Sequence, residues 1–331
     1  MSKERVLIVG GGPAGATTAR FLARYPQFDV TLIQLRWDFT KPCGGGVKSR
    51  LFSQFQIPTS PILQYPSHFL IRYQQQEFRV PLNGELALID RYRFDLQLRR
   101  LAEEAGVKIV EGRVKKGGKS GEFYWVEVVH NNLRQSFVGD ILIGADGVNS
   151  TIRKLFLRER VPAITTFYGI STKRVEAPTF YFDEEVAGPY YSWAFPIPAG
   201  THIGAPSRAD FERLVEEYFS PYHLPLKGYN IPIWKPEIPI KVGNLYFVGD
   251  AAAQVMPGVF EGIYYSVASG ALLAKALGEG LDYPTLWRQR FGLEFRFMKL
   301  LEKGLGSPFR GWLVKLWRWK FVQRLALKIW R

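Results

Sequence analysis

The chain has 331 residues, enough for about two domains with a substantial core, and 47% of them are apolar with glycine, proline and aromatics dispersed throughout, which excludes a disordered protein. A single cysteine, Cys43, excludes an intramolecular disulfide framework and points to a reducing, cytoplasmic setting. The net charge of +14 is concentrated at one end: residues 288–331 hold twelve Lys/Arg and two Glu.

The N-terminus enters a strand almost at once, leaving no room for a signal peptide, and no run of about twenty apolar residues offers a membrane span. Val6 to Gly15, VLIVGGGPAG, is an apolar run that stops in glycines at Gly10, Gly12 and Gly15. That spacing predicts a strand turning directly into a helix from about Ala14 to Tyr25. Gly10 permits the tight turn, Gly12 lets a pyrophosphate approach bare backbone, and Gly15 lets the helix pack close, while the helix N-terminus offers unpaired N–H groups to an anion. A glycine-rich turn without a ligand has the same grammar. The next strand, Asp29 to Leu35, completes a βαβ unit, with Gln34 standing where such folds place an acid on the ribose hydroxyls.

Lys41 to Gly46, KPCGGG, is a second glycine cluster, able to lie flat against a planar ligand through Gly44 and Gly46. Cys43 beside it is either an inert small hydrophobe or a group touching cofactor or substrate. Ser67 to Leu82 alternates as a hairpin outside the parallel sheet. Asp90 to Ala105 has helical spacing with Arg91 in its first turn, and Val107 to Val114 reads as a strand. Lys115 to Gly121 is expected to be a turn, followed by a hairpin of Phe123 to His130 with Leu133 to Val138.

Asp140 to Lys154 repeats the strand-into-glycine grammar, with Gly144, Asp146 and Gly147 before a helix starting near Ser150. Residues 156–235 read as a mostly antiparallel unit containing Tyr191, Trp193 and Phe195, whose plain reading is aromatic packing in a strand pair. Leu245 to Ile263 gives a third such strand end, Gly249 and Asp250, then a helix from about Glu261 or Gly262 to Leu277. An Asp there can accept from ribityl or ribose hydroxyls. Residues 286–331 predict two or three helices broken near Gly304 to Pro308. In the last, Trp312, Leu316, Trp319, Ala326 and Trp330 can share a face that packs on protein or on a bilayer surface, where tryptophans and seven cations after Ser307 favour anionic headgroups. No nucleic-acid module accompanies the basic tail. His68, His130, His202 and His223 are scattered, so no metal site is expected.

GGGPAG at Gly10 to Gly15, GADG at Gly144 to Gly147 and GDAA at Gly249 to Ala252 together resemble the p-hydroxybenzoate hydroxylase-like flavoproteins. KPCGGG, the aromatic YSWAFP at Tyr191 to Pro196 and Arg91 in IDRYRFD resemble, within them, the geranylgeranyl reductases. The resemblance covers Arg5 to Leu277 and implies an α/β fold with an α+β substrate layer. Its parts are a discontinuous Rossmann-like FAD-binding domain (1–66, 84–155, 240–284), an interleaved antiparallel substrate domain (67–83, 156–239) and C-terminal helices (285–331).

The implied cofactor is FAD, held by Gly10, Gly12, Ala14, Gly15, Gln34, Cys43, Gly44, Gly46, Arg91, Val114, Asp146, Gly249, Asp250, Gly262 and Ile263. The implied chemistry is reduction of C=C bonds in a prenyl lipid bound by Tyr191, Trp193 and Phe195, with Cys43 at the reacting bond. An external donor, NAD(P)H or ferredoxin-type, and an anionic membrane surface are the expected partners. A monooxygenase or halogenase, or a catalytically silent flavin or lipid carrier, shares the same motifs. The family pattern P-x-x-G-E-G-I appears as Pro257 to Ile263 with Phe260 in the first glycine's place, where an unchanged path would crowd the flavin. Gly204, Ala205 and Pro206 stand where the family's closing G-x-G would be.

Overall fold

A computed structural model describes residues 3–219 and 227–330, with side chains through Lys328. The strand Glu4–Val9 pairs in parallel with Ile141–Gly144 on one side and Phe28–Gln34 on the other. Leu245–Phe247 and Lys108–Glu111 extend this sheet in parallel, and the short Lys241–Val242 adds an antiparallel edge, making six strands. Alternation along the central strand explains its two coverings. Val6 and Ile8 pack with Ala16 and Ala19 of the helix Pro13–Leu22 and with Tyr264 and Val267 of the helix Ile263–Gly278. Leu7 and Val9 pack on Tyr124, Val126 and Phe137 of a three-stranded antiparallel sheet.

That small sheet corrects one expectation. Lys115 to Gly121 is not a turn: Arg113–Ser120 is a full strand paired with Phe123–His130, and the turn is Gly121 and Glu122. The rings of Phe156 and Trp125 lie over Gly117 and Gly118, while Lys115, Lys116 and Lys119 point to water. Glycines there make room for aromatic packing instead of ending the strand.

The second large sheet has seven strands drawn from 68–81 and 163–232. Every neighbour is antiparallel except His68–Tyr73 with Thr179–Tyr181. It covers the site from above, and the hairpin expected outside the parallel sheet forms its edge.

The helix Tyr283–Leu305 starts with Asp282 accepting from the Thr285 N–H and buries Trp287, Phe291 and Phe295. Beyond it the tail differs from the single amphipathic helix expected. Arg310–Lys315 is one short helix, Leu316–Arg318 a 3-10 turn, and extended backbone at Trp319 precedes the helix Lys320–Trp330. The break divides the expected face: Leu316 and Ala326 turn inward to a cavity, whereas Trp312 and Trp319 face solvent. The side chain of Trp330, like His223, lies outside the described residues. Arg310, 3% exposed, fastens the tail by donating to the carbonyls of Leu305, Phe182 and Gly188. Gln323 fastens the last helix to the Arg79 carbonyl at 3.3 Å.

Candidate active site

The glycine turn is built by contacts that leave no room for side chains at two positions and open space at a third. A Cβ on Gly10 would lie 2.3 Å from the Ala145 carbonyl oxygen, and one on Gly15 would lie 1.8 Å from that of Gly10. A Cβ on Gly12 would meet nothing within 4 Å. Gly12 is also the N-cap of Pro13–Leu22 and receives no side-chain capping bond. The backbone N–H groups at this helix end therefore face the cavity with the positive end of the helix dipole behind them, the setting a pyrophosphate requires.

Two buried side chains brace the turn. Gln34 Oε1 accepts from the Gly11 N–H at 2.6 Å while its Nε2 donates to the Arg36 carbonyl at 3.0 Å. Both ends of this amide thus bond to backbone while Gln34 still lines the cavity. Arg99, fully buried, donates to the carbonyls of Gly11 and Phe39. Nothing in the sequence separates Arg99 from its exposed neighbour Arg100, so its role was not foreseen.

All the predicted site residues except Gly15 and Gly249 line one cavity of about 820 Å³. Those two are packing glycines, Gly249 lying against Ala14 of the first helix. Asp146 reaches the cavity wall, but its carboxylate accepts from Ser150 Oγ and from the N–H groups of Thr151 and Ile152, which makes it an anchor for the helix Thr151–Leu157. Burial raises its pKa against those three donors. Asp250 pairs with Lys41 at 2.6 Å, and Lys41 sits over the Tyr229 ring. Arg91 donates to Asp95 at 2.8 Å; burial opposes its charge, yet Asp95 and then Cys43 raise its pKa, so it stays a fixed cation at the cavity edge. Val114 packs among Tyr124 and Val128 and contributes an apolar wall.

The Cys43 loop meets the aromatic motif directly. Positions for a Cβ on Gly44 and Gly46 fall 3.0 and 2.9 Å from the Phe195 ring, and that on Gly44 also falls 3.3 Å from the Trp193 indole nitrogen. The planar groups against which these glycines lie are side chains of the seven-stranded sheet. Cys43 is partly exposed to the cavity, its Sγ accepting from the Gly45 N–H at 3.3 Å. Trp193 Nε1 donates to His202 Nδ1 at 3.2 Å, and the His202 ring stacks between Trp193 and Tyr168. Burial pushes His202 down to about 4, so at neutral pH it is the uncharged acceptor this bond needs. Tyr191 donates to the Val259 carbonyl at 2.6 Å, tying the aromatic strand to the loop Pro257 to Ile263.

That loop carries Phe260, which lines the cavity. Gly258 and Phe260 both take left-handed backbone, φ +76 and +51, and the Phe260 ring turns onto Tyr190 and Tyr191 at 5.2 and 6.0 Å. A left-handed phenylalanine carries about 1–3 kcal/mol of strain, which the aromatic contacts and the Met256 and Glu261 backbone bonds offset. Gly262 and Ile263 then open the helix Ile263–Gly278 at the cavity wall.

Beyond Phe195 the cavity is closed by groups the sequence did not assign to it: Phe69, Ile71, Phe180 and Phe182 from the sheet, and Leu301, Leu305, Leu313, Val314, Trp317 and Leu327 from the C-terminal helices. The tail is a wall of the chamber.

The fold and the open glycine cradle define a Rossmann-type dinucleotide-binding protein. An NAD(P)-binding Rossmann-like domain family matches residues 8–79. Within the class, the chain is a homologue of the geranylgeranyl reductases. It is 28% identical over 299 residues to the geranylgeranyl diphosphate reductase of Rhodobacter capsulatus, a match covering 83% of this chain and 75% of that one. Its fold is that of a geranylgeranyl bacteriochlorophyll reductase-like protein from Thermoplasma acidophilum, with TM-score 0.82 and 23% identity over 96% of this chain and 91% of the other. The p-nitrophenol 4-monooxygenase PnpA from Pseudomonas putida shares the fold at TM-score 0.76 and 15% identity, over 99% and 97% of the two chains.

Proposed function

We propose that this protein saturates C=C bonds of a prenyl, geranylgeranyl-type lipid using reduced FAD. The observation that carries the reading is continuity: one cavity runs from the Gly12 cradle, past Cys43 and the Trp193 and Phe195 rings, into a chamber walled by aliphatic and aromatic side chains. FAD supplies the hydride when bound. The backbone at Gly10 to Gly12 and the first helix would hold its pyrophosphate, and Arg91, Lys41 and Asp250 are the charged groups of the same cavity that would contact it.

An isolated alkene has no carbonyl to polarise, so these residues act by orientation and exclusion of water. Trp193, fixed by His202, and Phe195, fixed by the Gly44 to Gly46 backbone, hold the chain alongside Cys43 at the junction of cradle and chamber. The named relative acts on a geranylgeranyl group, and the chamber's apolar walls suit such a chain better than a phenol, which needs polar anchors. The division into cofactor, substrate and tail segments follows the same functional reading, with NAD(P)H or a ferredoxin-type protein as external donor.

No helix among the described residues is long and apolar enough to cross a membrane. The outer face of the tail supports peripheral attachment: Trp312, Trp319 and Phe321 are exposed among Lys315, Arg318, Lys320 and Arg324. Because the tail also walls the cavity, point variants test this better than truncation. Trp312→Ala with Phe321→Ala should abolish flotation with anionic vesicles while leaving the melting temperature unchanged; undiminished flotation rejects the attachment. For the reaction, protein with FAD reduced anaerobically should regain oxidised-flavin absorbance on addition of a geranylgeranyl lipid. A spectrum that stays reduced rejects the reading.

A further inference from the structure

Saturating an alkene consumes a proton as well as a hydride, and the present inference rests on the reductive reading above. Glu261 is 7% exposed and lines the cavity. Its Oε1 accepts from the Tyr264 N–H at 2.7 Å, whereas its Oε2 is shielded from solvent without a hydrogen-bond partner among the described residues. A polar group left so is costly as an anion and much less so as a neutral acid.

A hydrogen-bonded series, Lys48, Tyr265 and Glu294, whose Lys48 and Glu294 charges act on Glu261, leads outward. Lys48, 2% exposed, donates to the Tyr265 hydroxyl at 3.1 Å and lies 3.7 Å from Glu294 Oε1. The Tyr265 hydroxyl donates to that same oxygen at 2.6 Å, and the Glu294 side chain is 24% exposed. Lys48, Tyr265 and Glu294 all line the cavity. The groups facing Glu261 come from four elements: Lys48 on the strand Gly46–Lys48, Arg50 on the helix Arg50–Gln54, Tyr264 and Tyr265 on the helix Ile263–Gly278 that follows it, and Glu294 on Tyr283–Leu305. Tyr191 faces it from the aromatic strand. Burial raises Glu261 to about 7 and lowers Lys48 from its ordinary value.

We propose that Glu261 is the proton donor to the reacting alkene, resupplied from solvent through Glu294, Tyr265 and Lys48. The Glu261 O–H bond breaks as a C–H bond forms on the carbon next to the one that takes the hydride. The alkene π pair makes that new bond, and the O–H pair stays on the Glu261 carboxylate. The alkene is reduced and the reductant, reduced flavin, is oxidised. The Glu261 carboxylate is then reprotonated from water along the cavity wall that carries Lys48, Tyr265 and Glu294.

Glu261→Gln is the discriminating variant because an amide copies the protonated acid, keeps an acceptor for the Tyr264 N–H and cannot donate. In protein without flavin or substrate, infrared difference spectra should show a carboxylic acid band that titrates near pH 7 and is missing in Glu261→Gln. With FAD, the variant should keep wild-type cofactor affinity and lose roughly 10²- to 10⁴-fold in alkene reduction. Absence of the titrating band, unchanged turnover, or loss of FAD binding in the variant would each overturn the assignment. A wild-type protein that reduces no prenyl lipid overturns the reductive reading itself, and the flavin-free titration tells that failure apart from an error about Glu261.

Discussion

Trp193 lies across Gly204 so closely that a Cβ at Gly204 would come within 2.0 Å of the indole Cζ2. The two residues pair across adjacent antiparallel strands, and this contact fixes the plane of the ring that Nε1 then locks to His202. Gly204→Ala should therefore swing the indole into the chamber, costing about 1–3 kcal/mol in denaturant unfolding and abolishing prenyl binding. Trp193→Phe in the same chain should recover much of the stability, a non-additivity read by a double-mutant cycle.

The cradle makes opposite predictions for two glycines three residues apart. Gly12→Ala meets no protein atom, so the flavin-free protein should melt as wild type while FAD binds roughly tenfold or more weakly, as a methyl fills the pyrophosphate's place. Gly15→Ala drives a methyl into the Gly10 carbonyl and should lower the melting temperature with or without FAD. Paired thermal melts and FAD titrations separate the two.

Stability against pH carries two slopes of opposite sign. His202 is lowered to about 4 by burial, so between that value and its unfolded pKa of about 6.5 the unfolded chain binds the extra proton, and stability falls as pH falls. Glu261 is raised to about 7 by burial, so from its unfolded pKa of about 4.3 upward the folded chain keeps the extra proton, and stability falls as pH rises. Across roughly pH 4.5 to 6.5 the two nearly cancel. Urea unfolding at a series of pH values should show His202→Gln losing stability as pH rises through this window and Glu261→Gln gaining it.

Arg310 donates to three carbonyls, on Leu305, Phe182 and Gly188, from a buried position. Arg310→Met keeps much of the side-chain volume but leaves those acceptors unpaired. A loss of about 3 kcal/mol and rapid proteolytic clipping after Ser307 are expected, with prenyl affinity falling as the chamber loses its far wall. Clipping at the wild-type rate would show that the tail is held by other contacts.

Legibility followed the range of the interactions. The three strand-to-glycine turns and the Phe123 to Val138 hairpin are written in consecutive residues, and the structure places them where periodicity does. Lys115 to Gly121 misled because lysine and glycine read as a turn when the rings of Phe156 and Trp125, which need those glycines, are not in view. Gln34 and Arg99 brace the cradle through contacts 23 and 88 residues apart, and their own neighbourhoods carry no sign of it. The tail showed its charge and its tryptophans but not its inner face, since Val314 and Leu327 are buried in a cluster with Ile71, Val80 and Phe195, far away in the chain.

The central claim, reduction of a prenyl chain by reduced FAD, is tested most directly by the mass of the product. Protein loaded with FAD, reduced with dithionite under strict anaerobiosis and given a geranylgeranyl lipid, should return that lipid heavier by about two mass units for each double bond saturated. An unaltered lipid, or a product that gains oxygen and forms only when air is admitted, would contradict it.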